Sequence, residues 1–365
     1  MPLILYGYIG RRFLSAFFAV LLTILGLVLL FDLIELVRRA GPHAEVRFVT
    51  LLEMALLKLP HMVATLLPFA VMLGAMVVFW RLARGHELVV IRSAGVSVWQ
   101  FITPIAGLVF LIGVINIAAV NPFAAAMYSR YEHHEDKLLL RRSNPLALSE
   151  SGLWLREAHG DQQIVLHAAE VRQSQFVLKL RAVTIFVFEN QDTFVRRYEA
   201  QTGALRDKLY DLAGVWEMRP GMPSRHHGTL LMPSTLTLAK IQENFASPQT
   251  ISFWELPGFV RFLESAGFSG HIHRLYWQSL LASPILLCTM ALIGAAVSMA
   301  PNQRGGGLLR RMVGGVAAGF VLYFFSKVTL ALGQSQALPF WLSAWSPAAV
   351  SGLLGLASLF HYEDG

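Results

Sequence analysis

Few residues of this chain have types and spacings that could do chemistry. The twelve histidines include the short pairs His133-His134, His226-His227 and His271-x-His273. No Cys/His cluster at zinc-site spacing accompanies them, so they read as solvated or interfacial histidines, with metal binding the alternative. The single cysteine, Cys288, falls in a long apolar run, which excludes a disulfide within the chain. There is no G-x-x-x-x-G-K-[ST], no H-E-x-x-H and no G-x-S-x-G. Arg304-Gly305-Gly306-Gly307 lacks the strand and the lysine of a phosphate loop. The chain therefore reads as a non-enzyme with no cofactor of its own; if ATP is used, another chain hydrolyses it.

The remaining candidates are charges beside or within apolar runs. Arg38 and Arg39 follow the first run and could hold a phosphate with paired hydrogen bonds. Alternatively, Glu35 pairs with Arg39 at i, i+4 and the helix end is simply solvated. Asp32, one turn earlier, would repel an anionic ligand unless paired or protonated. Lys327 lies inside an apolar run, where ionisable groups are functional by default, although a lysine near one end can also snorkel to the interface. Between the second and third runs, Glu87 to Ala94 can form two helical turns closed by Gly95. There Leu88, Val89, Val90 and Ile91 could enter a partner's groove, with Glu87 and Arg92 at its rim. A surface helix at headgroup level is the other reading.

Six apolar runs must position these groups: Phe13–Phe31, Leu59–Trp80, Val98–Val120, Leu275–Ala300, Met312–Gly333 and Leu338–Phe360. Each reaches the roughly 20 residues that a helix needs to cross a bilayer core. The sequence is 55% hydrophobic, only 15% charged and has a mean hydropathy of +0.52, consistent with several spans. The first run is longer than a signal-peptide core and no small-residue cleavage site follows it, so a retained helix is expected. With the N-terminus inside, eight Lys/Arg fall in the inner short loops (Arg11, Arg12, Arg81, Arg84, Arg92, Arg304, Arg310, Arg311), against four outside (Arg38, Arg39, Arg47, Lys58). The positive-inside rule then places both termini in the cytoplasm and the 121–273 segment outside. The net charge of +7 does not point to nucleic acid: residues 124–270 carry 16 basic and 16 acidic side chains, so the excess sits in the membrane part.

The segment between spans three and four changes period. After a polar helical stretch to Arg142, Asn144-Pro145 breaks the pattern. Strand-like alternation follows at Leu153–Arg156, Gln163–His167, Phe176–Leu180, Val183–Phe188, Val195–Ala200, Val215–Arg219 and Gly228–Met232. Short strands at this spacing indicate a β-sandwich or jelly roll. Phe253–Ala266 returns to helix, with Gly267 as its stop. The expected fold is a membrane α-helical protein of six transmembrane helices with an all-β, jelly-roll-like domain inserted between helices 3 and 4. Residues 1–123 hold spans one to three with a short helix at 86–95 in the inner loop, 124–270 the outer domain, and 271–365 spans four to six.

Glu87-Leu-Val-Val followed by Ser93-Ala-Gly-Val-Ser97 resembles the coupling helix of the lipopolysaccharide-export permeases LptF and LptG. Tyr8-Ile-Gly-Arg11, Arg38-Arg39-Ala-Gly41, Ser151-Gly-Leu-Trp154 and Gly319-Phe-Val-Leu-Tyr323 extend the resemblance in order along the chain, closer to the LptG branch. The resemblance implies an inner-membrane permease subunit in an LptF/LptG heterodimer on an LptB ATPase dimer that binds ATP and Mg. It implies extraction of lipopolysaccharide and its transfer through LptC to the LptA bridge. It also implies that Glu87 engages the ATPase and that Arg38 and Arg39 contact lipid A phosphates; Lys327 is a further candidate contact. Asp32 and Leu280 stand where relatives can carry basic residues, so the phosphate site is not expected to be an identical copy. A membrane scaffold whose β domain binds an envelope partner without moving substrate is the alternative.

Overall fold

The computed structural model describes residues 3–41, 47–85, 87, 93, 97–139, 146–149, 152–159, 162–174, 177–189, 193–206, 208–234, 246–265, 268–299 and 307–363. They form two compact units, one helical (residues 1–135, 248–257 and 271–365) and one mainly β (136–247 and 258–270). The helical unit thus keeps residues 124–135 and 248–257, which the sequence reading had assigned to the outer domain.

Six helices of the described residues are long and apolar enough to cross a membrane. They comprise α1 (Leu3–Ala40), α2 (Phe48–Arg84), α3 (Val98–Ile115) with its continuation α4 (Asn121–His134), and then, after the β unit and the short α5 (Leu256–Ser265), α6 (His271–Met299), α7 (Gly307–Gln334) and α8 (Phe340–Glu363). At 38 residues, α1 is about 57 Å long, well beyond an apolar core of roughly 30 Å. The helix is therefore longer than the apolar core it would cross.

The third span does not stop at Val120. A π turn at Asn116–Val120 joins α3 to α4, and one apolar-then-polar helix runs on to Leu139. Proline is the cause. Pro122 has no N–H to offer the Ala118 carbonyl four residues back, and the helix widens there. The freed Ala118 carbonyl instead accepts the Trp254 indole N–H at 3.2 Å.

The helical core joins Ile9, Phe13 and Phe17 of α1, Val71, Val78 and Phe79 of α2, Phe101 and Ile105 of α3, and Leu287, Ala291 and Ala295 of α6. Without a hydrophobic force between helices in lipid, small residues must let backbones approach. A Cβ on Gly294 would lie 2.5 Å from the Met72 carbonyl oxygen, so only glycine lets α6 pack on α2 in this way. Apolar side chains that remain exposed, such as Phe18, Leu22, Leu27 and Phe31 on α1 and Phe320, Val321 and Phe324 on α7, face outward from this core.

The β unit is a single seven-stranded antiparallel sheet, β1 (Leu146–Ser149), β2 (Gly152–His159), β3 (Gln162–Ser174), β4 (Val177–Glu189), β5 (Thr193–Arg206), β6 (Leu209–Met218) and β7 (Arg225–Pro233), each strand beside its sequence neighbour. It becomes sandwich-like by bending. Cross-strand pairing lapses along one row, at Ala169, Ala182, Gln201 and Gly214. On either side of that row the inward phase shifts by one residue: Leu178 and Leu180 point in before it, and Val183, Ile185 and Val187 after it. Ala182 and Gly214 carry the bend with φ of 49° and 65°, the left-handed conformation that makes glycine the favoured residue. Both leaves feed one core with Leu263 and Phe268 from α5 and the turn after it. The phase shift also explains why the sequence divides β4 into two strands at 176–180 and 183–188. Phe176 and Gly267 lie outside the described residues.

A polar clasp joins the free ends of the two leaves. Buried Glu157 on β2 accepts hydrogen bonds from Tyr210 Oη of β6 at 2.5 Å and from Ser234 Oγ, beyond β7, at 2.9 and 3.0 Å. Burial, then the neighbouring carboxylate, pushes the Tyr210 hydroxyl far above the ordinary tyrosine range, so it stays a donor. Tyr210→Phe withdraws a donor from a buried carboxylate and is expected to cost the β unit about 2 kcal/mol. Hydrogen exchange of the intact protein checks this: β2 and β7 amides exchange faster while α1 to α3 do not. Unchanged protection would show that the Tyr210 bond does not hold the leaves together.

Candidate substrate and coupling sites

Three groups of side chains in the helical unit match the residues singled out in the sequence. The first lies at the end of the bundle where α1 begins and α2 finishes. Glu87, two residues past the α2 cap at Gly85, turns toward α1. Its Oε2 accepts from Tyr8 Oη at 2.8 Å and its Oε1 from the Arg12 guanidinium at 3.0 Å. Arg12 also lies over the Tyr8 ring, 4.4 Å from its centroid. The cluster is half-exposed, so its charges remain within reach of a docking surface. Sequence spacing placed Glu87 at the rim of an isolated helical element; the fold adds two ligands from 75 and 79 residues away. Leu88, Val89, Val90, Ile91, Arg92 and Gly95 lie outside the described residues.

The second group surrounds the far end of α1. Arg38 gives Nε and a terminal nitrogen to the two oxygens of Glu35, both at 2.8 Å, while Arg39 gives Nε to Glu35 at 2.8 Å and a terminal nitrogen to Glu135 at 3.2 Å. The helix-end pair read from i, i+4 spacing is thus present, yet Arg38 remains 75% exposed at its side chain. Deeper down, Asp32 is paired with Lys58 Nζ of α2 at 2.5 Å, and that nitrogen lies 5.3 Å from the Tyr131 ring centroid. Asp32 Oδ2 is buried with no hydrogen-bond partner. Three carboxylates, Asp32, Glu35 and Glu135, thus face three cations, Arg38, Arg39 and Lys58. The cations here are thus already paired with carboxylates and do not form an open cationic patch. The pairing of Asp32 was missed because its partner is 26 residues away on another helix, with no local spacing to betray it.

The third group is a pair of adjoining cavities of about 220 and 400 Å³ among α2, α6 and α7 that share Ala64, Thr65, Ser279, Lys327 and Leu330. Pro68, Phe69, Leu286, Met290 and Leu322 make the smaller one apolar, and Phe69 packs between Phe320 and Tyr323 of α7. The larger is more polar, with His61, Asn116, Asn121 and Gln334 on its wall beside Leu280. Lys327 sits where the two meet, its Nζ 5.2 Å from the Tyr323 ring centroid. No carboxylate among the described residues pairs with it. Its surroundings, an apolar slot running into a polar one with a cation between, suit an amphiphile with an anionic head. Arg38 and Arg39 line neither cavity, so the three sequence-predicted contacts form two sites rather than one.

Comparison with known proteins follows the same layout. Residues 7–361 match the family described as "Lipopolysaccharide export system permease LptF/LptG". The chain is similar to the lipopolysaccharide export system permease protein LptG of Haemophilus influenzae, 21% identical over 350 residues that cover 90% of this chain and 89% of the relative. It is likewise similar to LptG of Escherichia coli K12, 24% identical over 368 residues and 97% of each chain. With six spans, an inserted β unit and a match running from the first span to the last, the chain belongs to the LptF/LptG family of lipopolysaccharide export permeases.

Proposed function

We propose that this chain is the LptG-type subunit of an ATP-driven lipopolysaccharide exporter. It would take the lipid from the outer leaflet of the inner membrane and hand it to a periplasmic bridge. The observation that carries this reading is Lys327 between an apolar and a polar cavity within the family's six-span layout. Acyl chains fit the apolar slot, and a phosphorylated head meets the cation. The basic inner loops support cytoplasmic termini and a periplasmic β domain. Arg12, Arg81 and Arg84 all lie at the Glu87 end of the bundle, as that orientation requires.

The partners follow from what the chain lacks and exposes. It carries no nucleotide-binding signature, so ATP and Mg belong to a separate ATPase, for which the loop holding Glu87 is the contact. The exposed apolar sides of α1 and α7 support pairing with a second, LptF-like permease. LptC and LptA are the expected recipients of the lipid. Arg38 and Arg39 would bind lipid phosphates at the outer end of α1 by displacing Glu35 and Glu135.

Reconstitution with an LptB-type ATPase and an LptF-like partner tests the whole reading through ATP-dependent lipid release to the carrier. In that system Glu87→Ala should abolish lipid-coupled ATPase activity while the complex still assembles; unchanged transport would remove the coupling role. Charge reversal at Arg38, Arg39 or Lys327 should weaken photocrosslinking to lipopolysaccharide, and undiminished crosslinking at any one of them assigns that residue a structural role only. Lys58→Met leaves the buried Asp32 carboxylate without its counter-ion and should destabilise the protein by about 3 kcal/mol, most of which Asp32→Leu in the same chain restores. Thermal unfolding in detergent reads both.

A further inference from the structure

Glu87, the proposed contact for the ATPase, is also tied to α1 by the fold. Tyr8 and Arg12 lie four residues apart, on one face of the helix, and each takes a different oxygen of the same carboxylate. A carboxylate has about four acceptor sites, so two remain after these bonds form. A cation of a docked partner can therefore bind Glu87 without displacing either residue. The arrangement is a three-way junction, not a competition.

What the junction holds is a rod. α1 runs from Leu3 to Ala40 with no proline in it, and the 26 residues between Arg12 and Arg38 span about 39 Å. Its first half is gripped: Ile9, Phe13, Ala16, Phe17 and Leu21 are buried in the helical core. Its second half exposes Leu27, Leu30, Phe31 and Ile34, and is held near its end by buried Leu36 and Ala40 together with the ion pairs from Asp32, Glu35 and Arg39. A shift imposed on the Glu87 end is thus carried along a continuous hydrogen-bonded helix to the charged cluster at the other end.

We propose that Tyr8 and Arg12 are positioning residues that fasten Glu87 to α1, so that movement of the loop after α2 is delivered through α1 to the Arg38 and Arg39 cluster. This rests on the reading of Glu87 as the ATPase contact. The junction does not make that contact; it decides which span feels it. Without Tyr8 and Arg12 the loop still docks, but its displacement is lost between α2 and α1.

The test uses the assembled transporter carrying Tyr8→Phe, Arg12→Gln or Arg12→Lys, with ATPase co-purification, lipid-independent hydrolysis and lipid released per ATP measured together. Tyr8→Phe and Arg12→Gln should retain the ATPase subunit and its basal hydrolysis, while lipid released per ATP falls by about threefold each, the size of effect that one half-exposed charge-assisted contact can supply. Arg12→Lys, which keeps the ion pair, should restore most of the yield; a purely structural role for Arg12 predicts no such selective rescue. Wild-type yield per ATP in both variants, or loss of the ATPase from the complex, overturns the proposal. Glu87→Ala in parallel separates the two ideas. If it uncouples while Tyr8→Phe and Arg12→Gln do not, the ATPase contact stands and the junction fails; if it has no effect, the coupling reading fails first.

Discussion

Where α1 crosses α2, a methyl group added to Gly74 would sit 3.0 Å from the Phe17 Cα, and both charged clusters of the helical unit depend on that close approach. In lipid, helices gain from packing only what backbone proximity allows, so a glycine opposite a bulky phenylalanine fixes both separation and register. Register then decides which charges meet. At one end Tyr8 and Arg12 come within bonding distance of Glu87, and at the other Asp32 comes within 2.5 Å of Lys58. Moving α1 along α2 by one turn, about 5.4 Å, would separate every one of these partners.

The two ends use their charges differently. Lys58 and Asp32 are largely buried, and neither can be left alone without a large desolvation cost. Arg38 and Arg39 share Glu35 in water-exposed positions, where an ion pair is weak and easily exchanged. One pair thus anchors the far end of α1, while the other holds its guanidinium groups only weakly.

How far the sequence can be read follows from the range of each interaction. Six spans are legible because twenty apolar residues in succession admit almost no other structure, and most strands are legible because burial imposes a period of two. The errors arise where a local rule meets a tertiary partner. The third apolar run ends at Val120, yet the helix continues past Pro122, and the Ala118 carbonyl that the proline cannot serve accepts the Trp254 N–H instead. Ala182 interrupts the alternation of β4, yet the strand is one, because the sheet bends there in every neighbouring strand together. Glu87 and Lys327 stood out by composition, and the fold gave each a setting. Tyr8, Arg12 and Lys58 became visible only through contacts 26 to 79 residues away.

The bend and the clasp of the β unit follow the same logic as the membrane unit. A flat seven-stranded sheet of this size could not cover its own apolar face; bending along Ala182 and Gly214 brings Leu155, Leu166 and Ile185 of one leaf into the same core as Leu178, Leu180 and Leu212 of the other. Hydrophobic burial closes the leaves, but it is not directional and does not set where the free ends meet. Glu157 sets that. Its carboxylate accepts from Tyr210 and Ser234 of the opposite leaf, and these directional bonds favour closure at one place. In both units apolar packing supplies the cohesion, and a buried acid with partners distant in sequence selects the register.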